Sequence, residues 1–288
     1  MKIVILGGKG MLGSDLNDAC AAQKIETVIL DVQEIDITSE ASVAKNLPDA
    51  DWIVNCAAFT RVDDAEKERE LCFRLNATGA GIVAKICAAR KLPLLQLSTD
   101  YIFDGKLGRP CTETDPVKPL NYYGLTKLEG EKLVQAAAGN FLIVRTQSLY
   151  GLRGRNFIKA ILNQLAQGKT SLRVVADQVS SPTFTVHLAD CLLRIMKANA
   201  RGIVNIASSG QCSWHEFAGA IVAATKPGIP IEKLTTAQLN FPATRPAFSV
   251  LDTALYTKLT AHKPPTWQQG LERYLEVEPL AAQVRGMK

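Results

Sequence analysis

Short apolar runs alternate with longer amphipathic stretches over the first half of the chain. Short runs rich in β-branched residues predict buried strands, and the stretches between them predict helices. The predicted strands are 2–6, 27–30, 52–56, 94–98 and 141–145, and the predicted helices are 11–23, 70–90 and 121–137. Strands that alternate with helices form parallel sheets through βαβ crossovers. The pattern therefore predicts an α/β protein with a doubly wound parallel sheet.

The pattern becomes less regular after residue 151. Helices are predicted at 157–167, at 186–199 and near 267–275, and short strands at 173–176 and 203–207. No linker rich in Gly and Ser separates the two halves, so no sharp domain boundary is expected. We therefore expect one domain over residues 1–150 and a smaller, interleaved α/β lobe over residues 151–288.

Composition and charge exclude several classes of protein. The chain has 33 Lys and Arg against 28 Asp and Glu, a net charge of +5, and these charges form no basic run. Neither a nucleic acid nor a membrane is therefore expected as a partner. No apolar stretch approaches the length of a membrane span, and the apolar start of the chain is too short for a signal peptide. A cytoplasmic protein is expected.

The cysteines and histidines give no metal-binding pattern. None of the seven cysteines belongs to a C-x-x-C pair, and the three histidines lie far apart in the sequence. Isolated cysteines in apolar surroundings behave as small hydrophobic residues. We expect reduced structural thiols and no metal bound by the protein.

A glycine-rich turn follows the first predicted strand directly. The run Gly7-x-x-Gly10-x-x-Gly13 opens the first predicted helix. Gly7 can turn the chain sharply, Gly10 lets backbone N–H groups approach a pyrophosphate, and Gly13 lets the helix pack closely on the sheet. The N-terminus of a helix also favours an anion. This order of elements predicts a Rossmann-type dinucleotide-binding domain over residues 1–150, which leaves residues 151–288 as a substrate-binding lobe.

An acidic residue ends the second predicted strand. Asp31 stands where a carboxylate can accept hydrogen bonds from the ribose of adenosine. The same carboxylate repels the 2′-phosphate of NADP, although Lys9 in the glycine turn could weaken that preference. The sequence predicts that NAD and NADP both serve, with NADH at least comparable to NADPH.

A tyrosine and a lysine stand one helical turn apart. Tyr123 and Lys127 occupy positions i and i+4 of the predicted helix 121–137. A free tyrosine has a pKa of about 10, and a neighbouring ammonium is expected to lower that pKa. Such a pair can donate a proton to an alkoxide that forms when a hydride reaches a ketone. Thr99 or Ser98, at the C-terminal end of a buried strand, can hydrogen-bond the same carbonyl oxygen.

These motifs together resemble the extended short-chain dehydrogenases/reductases and, more narrowly, the dTDP-4-dehydrorhamnose reductase family. The resemblance extends over nearly the whole chain. Beyond the glycine turn, its markers are Asn55-Cys56-Ala57-Ala58-Phe59-Thr60-x-Val62-Asp63, Asn76-Ala77-Thr78, Ser98-Thr99-Asp100-Tyr101-Ile102-Phe103-Asp104-Gly105, Pro119-Leu120-Asn121-x-Tyr123-Gly124-x-Thr126-Lys127, Asn156-Phe157, Asp177-Gln178-x-x-x-Pro182-Thr183 and Arg245-Pro246.

The resemblance implies reduction of dTDP-4-dehydro-L-rhamnose to dTDP-L-rhamnose by NAD(P)H, in the synthesis of cell-surface polysaccharide. Thr99 and Tyr123 would hydrogen-bond the 4-keto oxygen, with Tyr123 as the proton donor. Lys127 would bind the nicotinamide ribose and lower the pKa of Tyr123. The implied cofactor-binding residues are Gly7, Gly10, Met11, Leu12, Gly13, Asp31, Asp36, Ile37, Ala58, Phe59, Thr60, Tyr123 and Lys127. The implied substrate contacts are Thr99, Asp100, Asn156 and Arg245.

The chain departs from the family pattern at two places. Members often carry a sugar-stacking tryptophan where this chain has Thr146-Gln147-Ser148, so Ser148 would leave a wider sugar pocket. Some members bind Mg²⁺ through glutamates at a dimer interface. Here Asp15 stands near one such position and Val186 replaces another, which argues against the metal and leaves a homodimer open.

Three alternatives to this reductase stay open. One is another sugar-nucleotide 4-ketoreductase. A second is a dehydratase or epimerase, although Asp100 is followed by Tyr101 and not by the second carboxylate that a dehydratase needs. A third is a non-catalytic NADP-binding subunit such as the regulatory β subunit of methionine adenosyltransferase. The presence of Thr99, Tyr123 and Lys127 favours an enzyme.

Overall fold

Five strands of the first half form a parallel sheet, as the apolar runs predict. The computed structural model describes residues 1–137 and 139–287. The strands of the first half are β1 (Lys2–Leu6), β2 (Glu26–Leu30), β3 (Trp52–Asn55), β4 (Leu94–Thr99) and β5 (Phe141–Thr146). The helices that connect and follow them are α1 (Met11–Ala22), α2 (Glu40–Asn46), α3 (Val62–Ala65), α4 (Arg69–Phe73), α5 (Ala80–Ala89) and α6 (Tyr122–Ala136).

The second half is built from shorter elements. Its strands are β6 (Leu149–Tyr150), β7 (Leu172–Val175), β8 (Val179–Ser180), β9 (Thr183–Phe184), β10 (Gly202–Asn205), β11 (Cys212–Ser213) and β12 (Ile231–Leu234). Its helices are α7 (Phe157–Ala166), α8 (Thr185–Lys197), α9 (Trp214–Thr225), α10 (Ala254–Thr260), α11 (Trp267–Val277) and α12 (Pro279–Arg285). Three two-stranded sheets pair β6 with β9, β7 with β12 and β8 with β11.

The main sheet has six parallel strands in the order β2-β1-β3-β4-β5-β10. Ile5 of β1, for example, pairs with Ile29 of β2 on one side and with Val54 of β3 on the other. The strand β2 therefore lies on one side of β1, and all later strands of the sheet lie on the other side. The carboxyl ends of β1 and β3 form the topological switch point where such sheets bind ligands. The predicted doubly wound parallel sheet is confirmed.

Both faces of the sheet are buried, and this explains the continuous apolar strands. Successive side chains of a strand point to opposite faces. Ile3 and Ile5 of β1 pack with α1 and α8, whereas Val4 and Leu6 pack on the other side with α2 and α5. A strand covered on both faces has no solvent side, so its sequence shows no polar alternation.

The boundary expected at residue 150 does not separate the sheet from the lobe. The later strand β10 pairs with β5 and forms the edge of the main sheet. The preceding helix α8 packs against α1 on one face of that sheet. Helix α8 and strand β10 therefore pack with the elements of the first half, as an interleaved arrangement requires. The rest of the second half has a core of its own, centred on aromatic residues such as Tyr150, Phe217 and Tyr274.

The predicted helix 70–90 contains an unexpected π-helical turn. It begins as α4, passes through a π-helical turn at Arg74–Gly79 and continues as α5. Single π turns inside helices frequently occur at functional sites. Here the π-helical turn carries Asn76, whose side chain contacts Phe59 in the loop after β3 and Thr126 of α6.

The same helical stretch, Arg69–Ala89, is long and apolar enough to cross a membrane by length and composition, with a mean hydropathy of 1.2. The expectation that no stretch approaches that length is therefore wrong. Half of its most apolar window is buried inside the protein. Its apolar composition is accounted for by its place in the core.

Candidate active site

The glycine turn brings the start of α1 directly against the ends of β1 and β3. Gly7 has a φ of +71°, and a Cβ there would lie 2.8 Å from the Ala57 nitrogen. A Cβ at Gly13 would lie 2.5 Å from the Gly7 carbonyl oxygen. Larger residues at either position would push the helix away from the sheet. Gly10 precedes the helix and has no side chain to cap it, so the N–H groups at Met11 and Leu12 stay available to an anion.

A cavity of about 470 Å³ opens beside this turn, a volume typical of small-ligand sites. It is lined by Gly7, Lys9, Gly10, Asp31, Val32, Ile35, Asp36, Ile37, Cys56, Ala57, Ala58 and Leu75. The cavity thus brings together residues predicted to bind the pyrophosphate, the ribose and the adenine. These residues fit a dinucleotide.

Carboxylates surround the adenosine end of the cavity. The Asp31 carboxylate accepts hydrogen bonds from the backbone of Lys9 at 3.0 Å and of Val32 at 2.9 Å. The Lys9 ammonium donates to Glu34 at 2.9 Å, which raises the pKa of Lys9 and lowers that of Glu34. The Asp36 carboxylate accepts two hydrogen bonds from Thr38, and these lower its pKa. Because its ammonium is already paired, Lys9 is less able to offset the negative charge.

The loop after β3 forms the other wall. Ala58 lines the cavity, Phe59 is buried and Thr60 is exposed. The side chain of Asn76, in the π turn, accepts from the Phe59 nitrogen at 2.8 Å and donates to the Phe59 oxygen at 3.0 Å. It also donates to Thr126 of α6 at 3.1 Å. Asn76 therefore fixes the cofactor loop relative to α6, a contact that its place in a family motif did not reveal.

Thr99 and Tyr123 meet at the carboxyl end of β4. β4 ends at Thr99, and its hydroxyl accepts from the Tyr101 nitrogen at 3.2 Å and donates to Asp100 at 3.1 Å. Helix α6 begins after Asn121, whose side chain caps it by accepting from the Gly124 nitrogen at 2.8 Å. This places Tyr123 in the first turn of α6. The Thr99 side chain lies near enough to lower the pKa of the Tyr123 phenol.

The expected acidification of Tyr123 by Lys127 is wrong in this structure. Burial raises the pKa of Tyr123 above its ordinary value, and the interaction with Thr99 opposes this only in part. The Lys127 ammonium instead donates to the Leu97 carbonyl oxygen at 2.6 Å. Burial lowers the pKa of Lys127 to about 8. Desolvation of the phenolate and the neighbouring Asp100 disfavour the charged form, so Tyr123 keeps its proton at neutral pH, the form that a proton donor requires.

The predicted substrate contacts do not form one cluster. Asp100 is buried beside Thr99; burial raises its pKa to about 7, and its Oδ2 atom has no hydrogen-bond partner. Arg245 forms a two-pronged ion pair with Asp63 at 2.7 and 3.0 Å and lies over the Phe241 ring. The arginine lowers the pKa of Asp63. A phosphate at Arg245 would therefore compete with an existing carboxylate.

Asn156 and Ser148 have structural partners of their own. Asn156 caps α7 by accepting from the Lys159 nitrogen at 2.9 Å, and its amide donates to the Gly151 oxygen at 2.7 Å. Its hydrogen bonds therefore go to the C-terminal lobe, and the structure does not join it to Thr99 or Tyr123. Ser148 has a φ of +48° and donates to Ser180 at 2.9 Å.

Asp15, the residue nearest a metal-binding position of the family, is satisfied by protein groups. Its carboxylate accepts from Thr185 and pairs with Arg153 at 2.9 Å. Across residues 1–137 and 139–287, no group of three or more His, Cys, Asp or Glu side chains is arranged to hold a metal ion. All seven cysteines are free, and all but Cys56 are fully buried.

Comparisons with known proteins agree with this geometry. A family model described as "RmlD substrate binding domain" matches residues 1–279. The chain is 37% identical over 278 residues to a dTDP-4-dehydrorhamnose reductase of Mycolicibacterium smegmatis, covering 94% of this chain and 84% of that protein. A crystal structure of a dTDP-4-dehydrorhamnose reductase from Clostridium acetobutylicum is similar with a TM-score of 0.91 and 37% identity, covering 96% and 99% of the two chains. That of a Bacillus anthracis dTDP-4-dehydrorhamnose reductase in complex with NADP has a TM-score of 0.90 and 31% identity, covering 96% and 98%. The chain therefore belongs to the RmlD family, the family of the dTDP-4-dehydrorhamnose reductases.

Proposed function

We propose that this protein reduces the 4-keto group of dTDP-4-dehydro-L-rhamnose to give dTDP-L-rhamnose. Relatives at 34–37% identity over nearly the whole chain are dTDP-4-dehydrorhamnose reductases, and a solved relative holds NADP. The chain is accordingly an NAD(P)H-dependent oxidoreductase. The observation that carries the proposal is the placement of Thr99 at the carboxyl end of β4 and of Tyr123 in the first turn of α6, at the same edge of the sheet as the glycine turn.

The chain's own residues account for the proton and for the alignment of the substrate. NAD(P)H bound along the glycine turn supplies a hydride to C4 of the sugar. As C4 receives it, the carbonyl electron pair moves to O4, and Tyr123 donates its phenolic proton there to complete the alcohol. Thr99 hydrogen-bonds the same oxygen and aligns it. Lys127, charged below its pKa of about 8, favours the phenolate that Tyr123 becomes until solvent returns a proton.

The sugar nucleotide is proposed to contact Asp100, Asn156 and Arg245. Arg245 suits a diphosphate because a guanidinium binds phosphate oxygens through two parallel hydrogen bonds. In this structure the Asp63 carboxylate occupies the position at Arg245 that a phosphate would take. Asp100 supports the proposal through its unpartnered buried oxygen next to Thr99.

The test is an NAD(P)H-oxidation assay against dTDP-, GDP- and UDP-linked 4-keto-6-deoxy sugars, with NMR of the product. We expect turnover of the dTDP-linked 4-keto sugar and an alcohol at C4. Turnover of a UDP or GDP sugar alone would indicate another 4-ketoreductase, and loss of water or epimerisation would indicate the dehydratase or epimerase alternative. NADPH binding without any turnover, together with binding to a partner enzyme, would favour a regulatory subunit.

We expect both cofactors to serve, with NADH at least comparable to NADPH. The carboxylates of Asp31, Glu34 and Asp36 lie near the end of the cavity predicted to bind adenosine, and the Lys9 ammonium is already paired with Glu34. The 2′-phosphate of NADPH therefore gains little binding energy there. Replacing Asp31→Asn should improve kcat/KM for NADPH by about tenfold relative to NADH, the effect of one removed charge. The measurement is steady-state kinetics with both cofactors. A hundredfold preference of the unaltered protein for NADPH would contradict the role given to Asp31.

We expect metal removal to leave turnover unchanged. Arg153 and Thr185 already satisfy the Asp15 carboxylate, so a divalent cation would have to displace a cation and a hydrogen bond. The rate should change by less than about twofold after dialysis against EDTA, and also after addition of Mg²⁺. Loss of activity with EDTA that Mg²⁺ restores would show that a metal is used.

We further propose a cytoplasmic location, a homodimer, and no nucleic-acid or membrane partner. Cytoplasmic placement follows from the proposed substrate, a nucleotide-activated sugar, and the modest net charge of +5 supports the expected lack of nucleic-acid binding. Sedimentation of the purified protein at several concentrations tests the dimer. A monomer at every concentration would exclude it.

A further inference from the structure

A buried ion pair joins α6, one turn beyond Lys127, to the strand β5. Glu131 and Arg145 of β5 are both almost completely buried, with side chains 1% and 4% exposed. The Glu131 carboxylate accepts from Arg145 Nε at 3.0 Å and from Arg145 Nη2 at 2.8 Å. Removing two charges from water costs several kcal/mol, so such a pair adds little stability over well-packed apolar side chains. We therefore expect the Glu131–Arg145 pair to have a role other than stability.

The ion pair also ties α6 to the strand that carries Thr99. The Ser98 hydroxyl donates to Glu131 Oε1 at 2.5 Å. The Lys127 ammonium donates to the Leu97 oxygen at 2.6 Å. Two consecutive residues of β4 thus hold two consecutive turns of α6. These buried bonds fix the position of α6, and with it that of Tyr123, relative to Thr99.

Glu131 is also the negative charge that acts on Lys127. The other groups that influence the ammonium are the thiols of Cys56, after β3, and Cys72, on α4, together with the Leu97 oxygen on β4. Burial raises the pKa of both thiols, so they are neutral at neutral pH. A further charged side chain at this site is Arg145, the ion-pair partner of Glu131. Glu131 is therefore the charged group that opposes the burial driving the ammonium toward its neutral form, and the Leu97 oxygen supports the ammonium through a hydrogen bond.

We propose that Glu131 is a positioning residue of the reaction: it keeps the Lys127 ammonium charged and holds α6 against the end of β4. The proposal rests on the proposed reductase function, in which Lys127 must be charged. Glu131 acts through Lys127, which stands one helical turn before it on α6. The hydrogen-bond partners of Glu131 itself are Ser98 and Arg145. Its charge adds to the ammonium's stability, and that contribution disappears if the side chain becomes neutral.

The direction of the effect follows from the protonation equilibrium. Lys127 is charged below its pKa of about 8 and loses its proton as the pH rises through that value. Removing the Glu131 charge leaves burial unopposed and moves the loss of the proton to lower pH. Activity that requires the ammonium should then disappear at lower pH as well.

The experiment compares wild type, Glu131→Gln and Glu131→Asp by NMR titration of the lysine Cε groups in the cofactor-free protein, with Lys127→Met to assign the Lys127 signal. We expect Lys127 in Glu131→Gln to titrate about one pH unit lower or more. The Asp variant keeps the charge and should stay close to wild type. In kcat against pH, the alkaline loss of activity should move by the same amount.

The variant Glu131→Gln leaves Arg145 without its partner, so a double variant guards against misfolding. Glu131→Gln with Arg145→Gln replaces the ion pair by two amides and leaves no buried charge unpaired. The double variant removes the Glu131 charge as the single variant does, so its Lys127 titration should also move to lower pH. An unmoved Lys127 titration in either folded variant would overturn the proposal. A shifted titration in a protein that reduces no 4-keto sugar would instead refute the proposed function and leave the coupling intact.

Discussion

Replacing Tyr123→Phe should lower kcat by about three orders of magnitude, the usual contribution of a positioned proton donor. The affinity for NADPH should change little, because the ring stays in place and keeps its edge-to-face contact with Tyr101 at 6.0 Å. A change in kcat without a change in binding identifies an interaction made in the transition state. Stopped-flow NADPH oxidation and a fluorescence titration of NADPH measure the two quantities.

The matched control is Tyr122→Phe. Tyr122 is the preceding residue on the same helix, and its ring lies 4.9 Å from the Arg69 guanidinium. The control removes an equivalent hydroxyl and should keep kcat within about twofold. Equal losses in both variants, or full turnover by Tyr123→Phe, would require a different proton donor.

Replacing Lys127→Met should damage both catalysis and cofactor binding. The variant removes a buried ammonium and its 2.6 Å hydrogen bond to the Leu97 oxygen. We expect kcat/KM to fall by about a thousandfold and the Kd for NADPH to rise by about tenfold, as for the loss of a hydrogen bond to a charged group. Steady-state kinetics and a binding titration separate the two effects.

The control for this variant is Lys132→Met. Lys132 lies on the same helix but is 58% exposed and pairs with Glu129 at the surface. Exposed pairs contribute little to stability, so the control should behave as wild type. If Lys127→Met kept the kcat of wild type and lost only NADPH affinity, the lysine would serve binding alone.

The elements of the site that depend on short spacings could be predicted from the sequence. The glycine turn, the acidic end of β2, and the tyrosine and lysine one turn apart are each set within a few residues or one βαβ unit. Local backbone geometry then decides where the side chains lie. The structure places these groups around one cavity and the adjoining ends of the strands.

Features that depend on distant parts of the chain were not predictable in this way. The ion pair of Arg245 with Asp63 joins residues 182 positions apart, and the Asn76 contacts with Phe59 depend on an unforeseen π turn. The helical spacing of Lys127 and Glu131 was visible, but nothing local indicated that Arg145 would face Glu131.

The raised pKa of Tyr123 has a similar origin. From the sequence, the nearest charge was the lysine one turn away, and its attraction pointed to a lower pKa. Burial is set by the whole fold, and here it has the larger effect. The charge pattern along the helix therefore predicted the wrong direction for the pKa of Tyr123, because it carries no information on burial.

The late position of β10 has a consequence for how the chain folds during synthesis. The cofactor-binding sheet gains its last strand only when residues 202–205 have left the ribosome, long after the glycine turn and the tyrosine have emerged. Until then the outer edge of β5 has free N–H and C=O groups, and the side of α1 that α8 later covers is bare. Exposed strand edges attract other chains. A nascent or truncated chain that stops near residue 150 is therefore an aggregation hazard, and a division of this gene into two expressed pieces should leave residues 1–205 together.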